Sequence, residues 1–159
     1  MLAPLLATLV LTGVHPVDLN ALFAGALPQV KAKTQIAVLF PDAMPTESQQ
    51  LYADHWQTKR GYTFSLADVP DCGEATACFE AEFSGQKGGT PFGFTSVKLA
   101  KGRHGRFKPL TCGGSCSPPM ISWKERGATY TIQANVGTKR TERRILVAMA
   151  DAAIRRGPR

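Results

Sequence analysis

The chain has 159 residues, of which 43% are apolar and 19% charged, and its net charge is +7. This length is enough for one domain with a hydrophobic core and short for two. The low charged fraction, 15 glycines and 11 prolines argue against a helical bundle and favour a protein built mainly of strands and turns.

The N-terminus begins with 13 residues, MLAPLLATLVLTG, and no charged residue precedes Asp18. This run is shorter than the ~20 apolar residues of a membrane-spanning helix, but it has the length of a signal-peptide core. Small residues at 21–26 offer a cleavage zone, although no basic residue precedes Lys31. We predict a signal-like or anchoring segment over 1–30, able to associate with a membrane, and a single domain over 31–159. The alternative is an N-terminal helix packed on the domain.

The sequence of the rest of the chain predicts mainly strands, followed by one helix. The apolar patterns predict strands at 36–40, 51–57, 62–66, 78–83 and 95–100, a turn into another strand at 101–107, and a hairpin over 120–134. Apolar residues at helical spacing, including Ile145 and Met149, predict a helix over 139–156 that ends at Gly157. The expected fold is therefore α+β, a curved antiparallel sheet of about six to eight strands with the C-terminal helix packed on one face.

Four cysteines occur in two close pairs within turn-rich segments. Cys72 and Cys78 are spaced C-x5-C, and Cys112 and Cys116 are spaced C-x3-C. Four cysteines allow three pairings, and the short loops favour the two local ones. Zinc is the alternative, although only the second pair has a spacing usual for a structural zinc site. An even count in loops predicts disulfides, and hence an exported protein of the periplasm or cell envelope.

The basic residues are concentrated in the second part of the chain. Residues 1–96 carry five Lys or Arg and nine Asp or Glu, a net charge of −4, whereas residues 97–159 carry fourteen and three, a net charge of +11. Such a surface suits an acidic protein or an anionic envelope surface, while export and the few nearby aromatics argue against nucleic acid. The alternative is a solvated basic surface without a specific ligand. The expected binding residues are Lys101, Arg103, Arg106, Lys108, Lys139, Arg140, Arg143 and Arg144.

The C-terminal third has a recognisable pattern. Trp123, Gly127 and Tyr130 lie in the hairpin that precedes the terminal helix. In this pattern the chain resembles a domain of unknown function on the exported side of some bacterial anti-sigma factors and lipoproteins. Residues 34–156 also resemble uncharacterised exported proteins of cyanobacteria. Neither resemblance implies a catalytic residue.

Residues for catalysis are few. His55 follows Asp54 and precedes Trp56, and His104 lies in a basic turn, but no spacing typical of metal ligands or of a nucleophile motif occurs. Adjacent strand residues point to opposite faces, so Asp54 is not expected to orient His55. We therefore predict a non-enzymatic interaction or accessory module without a cofactor. The alternative is a hydrolase acting on an envelope component, which would need a deep pocket containing His55 or His104 and a carboxylate.

Overall fold

A computed structural model describes residues 13–73 and 75–159 of the chain. The elements in chain order are β1 (His15–Asp18), α1 (Leu19–Phe23), α2 (Leu27–Lys33), β2 (Ala43–Thr46), β3 (Tyr52–Thr58), β4 (Gly61–Ala67), β5 (Phe79–Lys87), β6 (Thr95–Lys98), a 3-10 turn (Ala100–Gly102), β7 (His104–Lys108), β8 (Thr111–Cys112), β9 (Cys116–Ser117), β10 (Met120–Glu125), β11 (Ala128–Ala134) and α3 (Glu142–Arg156).

Seven of the strands form one antiparallel sheet in the order β3-β4-β5-β11-β10-β7-β6. Strands β1 and β2 form a separate two-stranded ribbon, as do β8 and β9. The expectation of a mostly β chain with an antiparallel sheet and a C-terminal helix is confirmed. The curvature of the sheet stays a prediction.

The inner face of the main sheet carries the core because apolar side chains line up across neighbouring strands. One row of facing residues comprises Phe64, Phe83, Ile132, Ile121 and Phe107, and the next comprises Tyr62, Gly85, Tyr130, Trp123, Gly105 and Val97. A Cβ at Gly85 would lie 2.6 Å from the Tyr62 ring and 3.0 Å from the Tyr130 ring. The absence of a side chain at Gly85 therefore leaves space for both tyrosine rings within the row.

Helix α3 packs on β10 and β11, as its apolar spacing predicted. Its buried apolar side chains are Leu146, Met149, Ala150, Ala153 and Ile154. The helix begins three residues after the expected start and ends at Gly157, whose φ of 77° suits a helix terminus. Its packing against the sheet brings the basic first turn of the helix to one end of the domain.

The first helices belong to the same core. Asp18 caps α1 by accepting hydrogen bonds from the backbone of Asn20 and Ala21, and Leu19, Phe23 and Val30 are buried. The folded domain therefore begins before residue 31, and the expected boundary falls within α2. The stretch 21–26, expected as a cleavage zone, forms the end of α1 and the following turn. Residues 1–12, most of the signal-like run, lie outside the described residues.

Residues 38–40 are buried and residues 36 and 37 are half-buried, but the segment forms no strand, which corrects the expectation of one. A continuous apolar run predicts burial without specifying a partner strand. Here the backbone groups of this segment form hydrogen bonds with two tyrosine hydroxyls and with Arg159 instead of with a partner strand. The Tyr62 hydroxyl bonds to the amide and carbonyl of Leu39, and the Tyr130 hydroxyl donates to the Ala37 carbonyl at 2.9 Å. Arg159 donates from its backbone to Val38 and from its guanidinium to Phe40.

Candidate functional site

The structure places the eight expected basic residues in three separate regions. Lys101 and Arg103 lie at the 3-10 turn, which is fastened to the second half of α3 by a 2.6 Å hydrogen bond from the Ala100 amide to Asp151. Arg106 and Lys108 alternate with buried Phe107 on β7, and so point to the outer face of the sheet. The other four lie where α3 begins. The expected binding residues of the cationic loop over 101–108 and of the terminal helix thus lie on different elements, and those of the loop are themselves divided between the 3-10 turn and β7.

Three of the four cations in the first two regions, all except Lys101, already have partners in the fold. Arg103 donates to buried Glu125 at 2.8 Å, which makes it an ion pair within the domain. The Arg106 guanidinium bonds to the Gly93 carbonyl at 3.1 Å and to the Ser96 hydroxyl, and Lys108 bonds to the Ser117 hydroxyl at 2.8 Å. These contacts join neighbouring segments of the domain. The sequence around Arg103 did not predict its ion pair with Glu125.

The third region is the α3 basic patch, defined as Lys139, Arg140, Arg143 and Arg144. All four side chains are exposed, and none forms a salt bridge with an acidic group of the described residues. The one acidic residue in the first turn of α3, Glu142, is 3% exposed and turned inward, where it accepts a hydrogen bond from the Leu110 amide at 3.2 Å. The partial positive charge of the helix N-terminus adds to the field of the patch.

A cleft of about 570 Å³ adjoins this patch, and we name it the α3 cleft. It is formed by the end of β2, the start of β5 and the connection from β11 into α3. Its apolar lining comes from Val14, Pro45, Val136 and Ile145, and its polar lining comes from Thr46, Glu47, Ser48, Glu80, Asn135, Thr138, Thr141 and Arg144. Because Arg144 belongs to both, the patch and the cleft form one continuous surface.

Glu80 is the buried acid of the α3 cleft. Its residue is 9% exposed, and its Oε2 accepts a hydrogen bond of 3.0 Å from the Thr46 hydroxyl. The β4–β5 register shifts between Leu66 and Ala67, which leaves Glu80 without a facing residue on β4. Such irregularities can redirect a side chain that strict alternation would place elsewhere.

Sequence reasoning missed this site. The alternating pattern of residues 78–83 predicted Glu80 and Glu82 together on the solvated face of a strand. The structure buries Glu80 against Thr46, 34 residues earlier in the chain. The apolar–polar period of β5 carries no signal for this contact, because it depends on where the β1–β2 ribbon packs.

The histidines do not form a comparable site. A second cleft of about 480 Å³ lies between β3, β4 and the first cysteine loop, and neither His55 nor His104 lines it or the α3 cleft. Asp54 accepts a hydrogen bond from the backbone N–H of His55 at 2.7 Å, so this contact does not orient the imidazole. The arrangement that the hydrolase alternative required is thus absent from these two clefts.

Both local disulfides form as expected. Cys72 pairs with Cys78 and Cys112 with Cys116, with Cα–Cα distances of 5.8 and 4.0 Å. All four thiols are used, so the zinc alternative is not realised. The two bridges are consistent with an exported protein from an oxidising environment.

Within residues 13–73 and 75–159, no three His, Cys, Asp or Glu side chains are grouped so that they could bind a metal ion. The helices of this part of the chain are also too short or too polar to cross a membrane. Comparisons with protein-family models, curated proteins and solved structures found no match.

Proposed function

We propose that this protein is a non-enzymatic interaction or accessory module of the periplasm or cell envelope, and that its α3 basic patch binds an acidic protein or an anionic envelope surface. The observation that supports this most directly is that the four cations of the patch are exposed and have no acidic partner among the described residues. They are also concentrated within residues 139–144.

Several other arginines of the basic C-terminal part are less suited to this role. Arg103 is paired with Glu125, and Arg155 and Arg156 lie within 4 Å of Asp151 and Asp42, respectively. In the α3 basic patch the nearest acid in sequence, Glu142, is directed into the fold. Unpaired cations on a fixed helix end attract an anionic partner over a distance of about a Debye length, roughly 8 Å at physiological salt.

The test is a variant that neutralises the patch, with Lys139, Arg140, Arg143 and Arg144 all changed to Gln. The matched control changes Lys31, Lys33, Lys59 and Arg60 to Gln. These four are exposed and also remove four charges, but outside the patch. Binding is measured against polyglutamate and against phosphatidylglycerol vesicles over a series of salt concentrations.

We expect the unaltered protein to bind at least one of these probes, with an affinity that falls as salt rises. The patch variant should bind at least about tenfold more weakly, since each Lys or Arg near an anionic surface contributes about 1 kcal/mol. Binding to polyglutamate alone would favour an acidic protein, and binding to vesicles alone a lipid surface. Equal losses in both variants would contradict a specific patch, and so would binding that does not depend on salt.

A further inference from the structure

The buried acids of the described residues differ in how they are neutralised. Glu125 pairs with Arg103 at 2.8 Å, and Glu142 accepts a backbone hydrogen bond from Leu110. Glu80 accepts a single hydrogen bond, from the Thr46 hydroxyl, and no Lys, Arg or His nitrogen of the described residues lies within salt-bridge distance of it. A carboxylate removed from water without a counter-charge is costly. Glu142 also has no cation of the described chain within salt-bridge distance, but it does not line the α3 cleft. Glu80 is therefore the buried acid that a cation entering this cleft would stabilise.

The surroundings of Glu80 are those of a small-molecule site. The α3 cleft has a volume of about 570 Å³, which lies within the range of about 300–1,000 Å³ for ligand pockets. Its apolar lining includes Pro45 and Ile145, while Thr46, Thr138 and Asn135 supply hydroxyl and amide groups. A lining in which eight polar side chains accompany four apolar ones is suited to an organic ligand that carries charged and hydrogen-bonding groups.

The cation that fits best is an ammonium group carried by such a molecule. A bare divalent ion would need several oxygen ligands, and no group of three acidic, His or Cys side chains occurs here among the described residues. An ammonium has three N–H donors, which Glu80 and neighbouring hydroxyl oxygens can accept. Glu47, which also lines the cleft, adds a second negative charge.

The cleft also contains a group for the opposite charge. Arg144 lines it, and Thr141, the residue before α3, makes no side-chain hydrogen bond to cap the helix. The guanidinium and the positive end of the helix together favour a carboxylate. A ligand with an ammonium at one end and a carboxylate at the other is thus complementary to Glu80 and Arg144, and amide groups between them could bond to Asn135 and the threonines.

We propose that the α3 cleft binds the free amino end of a short peptide, with Glu80 as the counter-ion of its ammonium group and Arg144 as the partner of its carboxylate. This inference extends the proposed function, since it places part of the partner in the cleft beside the α3 basic patch. The two proposals share Arg144, but Glu80 belongs to the cleft alone, so Glu80→Gln tests the peptide site without changing the patch.

The experiment is an NMR titration of the full chain with two probes, Ala-Ala-Ala and N-acetyl-Ala-Ala-Ala. The unaltered protein is compared with Glu80→Gln, which retains an oxygen to accept the Thr46 hydrogen bond. The control is Glu82→Gln, the same change two residues along β5 at a residue that does not line the cleft. Spectra of the ligand-free variants check that each is folded.

We expect Ala-Ala-Ala to shift the resonances of cleft residues such as Thr138 and Asn135. N-acetylation and Glu80→Gln should each weaken binding at least tenfold, and acetylation should cause no further loss in Glu80→Gln, because both changes remove the same interaction. Glu82→Gln should bind as the unaltered protein does. Equal affinity for the two probes, additive losses, a loss in Glu82→Gln, or no binding of Ala-Ala-Ala would each overturn the proposal.

The two proposals fail in different ways. Glu80→Gln should bind polyglutamate and anionic vesicles as the unaltered protein does, since it leaves the α3 basic patch intact. If it loses polyglutamate binding as well, Glu80 has a structural role and the peptide site is refuted. If the patch variant retains polyglutamate binding while Glu80→Gln loses Ala-Ala-Ala binding, the cleft is supported and the patch is not.

Discussion

The hydroxyl of Tyr62 makes two hydrogen bonds with the backbone of Leu39, accepting from its N–H and donating to its carbonyl, both at 2.8 Å. Tyr62 and Leu39 are both buried. Burial also raises the pKa of the Tyr62 hydroxyl far above its usual value, which favours the protonated form that the donated bond requires. Together with Tyr130 and Arg159, this side chain takes the place of a partner strand for the segment 36–40.

Replacing Tyr62 by Phe should lower the free energy of unfolding by about 2–4 kcal/mol. The ring keeps its packing, but two buried backbone groups lose their partner, at about 1–3 kcal/mol each. Urea unfolding measures the change. The comparison is Tyr130→Phe, which removes one bond, to the Ala37 carbonyl, and should cost about 1 kcal/mol. Equal effects of the two changes would show that the double contact of Tyr62 does not determine the stability of the segment.

The contact between Asp42 and Arg159 should make stability depend on pH. A 2.7 Å hydrogen bond from Arg159 and one of 3.0 Å from Asn20 lower the pKa of Asp42 below its ordinary value of 3.8. A carboxyl with a lowered pKa stabilises the fold above its unfolded pKa, and this contribution is lost as the pH falls through the folded value. Asp42→Asn should therefore be less stable than the unaltered protein at pH 7. This difference should shrink below about pH 4, and a constant difference across urea unfolding curves from pH 3 to 7 would contradict the linkage.

Arg103 should contribute to stability rather than to partner binding. Replacing it by Ala leaves Glu125 with only the exposed Arg126, 3.9 Å away, and we expect a loss of about 2–3 kcal/mol, less than for a fully buried pair because Arg103 is one third exposed. Adding Glu125→Gln should recover part of this loss, since a neutral amide is less costly to bury. Thermal unfolding of the single and double variants measures both effects. Weaker polyglutamate binding by a folded Arg103→Ala variant would instead show that Arg103 contributes to the binding surface.

The disulfides should shape their loops more than they stabilise the domain. They join cysteines only six and four residues apart, so each removes little entropy from the unfolded chain, equivalent to about 2 kcal/mol or less. Replacing either pair by Ser should leave a folded protein with a modestly lower Tm. Alkylation of the native protein without a reductant should label no thiol. Free thiols in material from its native compartment would remove the main support for export.

Local pattern was enough to predict much of this fold. The hairpins β3–β4 and β10–β11, the helix α3 and the two cysteine bridges follow from features within a few residues of one another: the period of two in strands, helical apolar spacing, turn residues and short cysteine loops. These patterns record which side of an element is buried, and they were reliable wherever the partner lies next in sequence.

Tertiary structure alone decided the features that join distant segments. Residues 36–40 are satisfied by tyrosine hydroxyls and by Arg159, which lies 119 residues after Phe40, and Glu80 meets Thr46 through the packing of the β1–β2 ribbon. Tertiary structure also decided that Arg103, which follows the 3-10 turn, pairs with Glu125 at the end of β10. It likewise decided that the basic residues lie in three regions. Periodicity shows that a residue is buried but not which distant group it meets, because that depends on how the elements pack together.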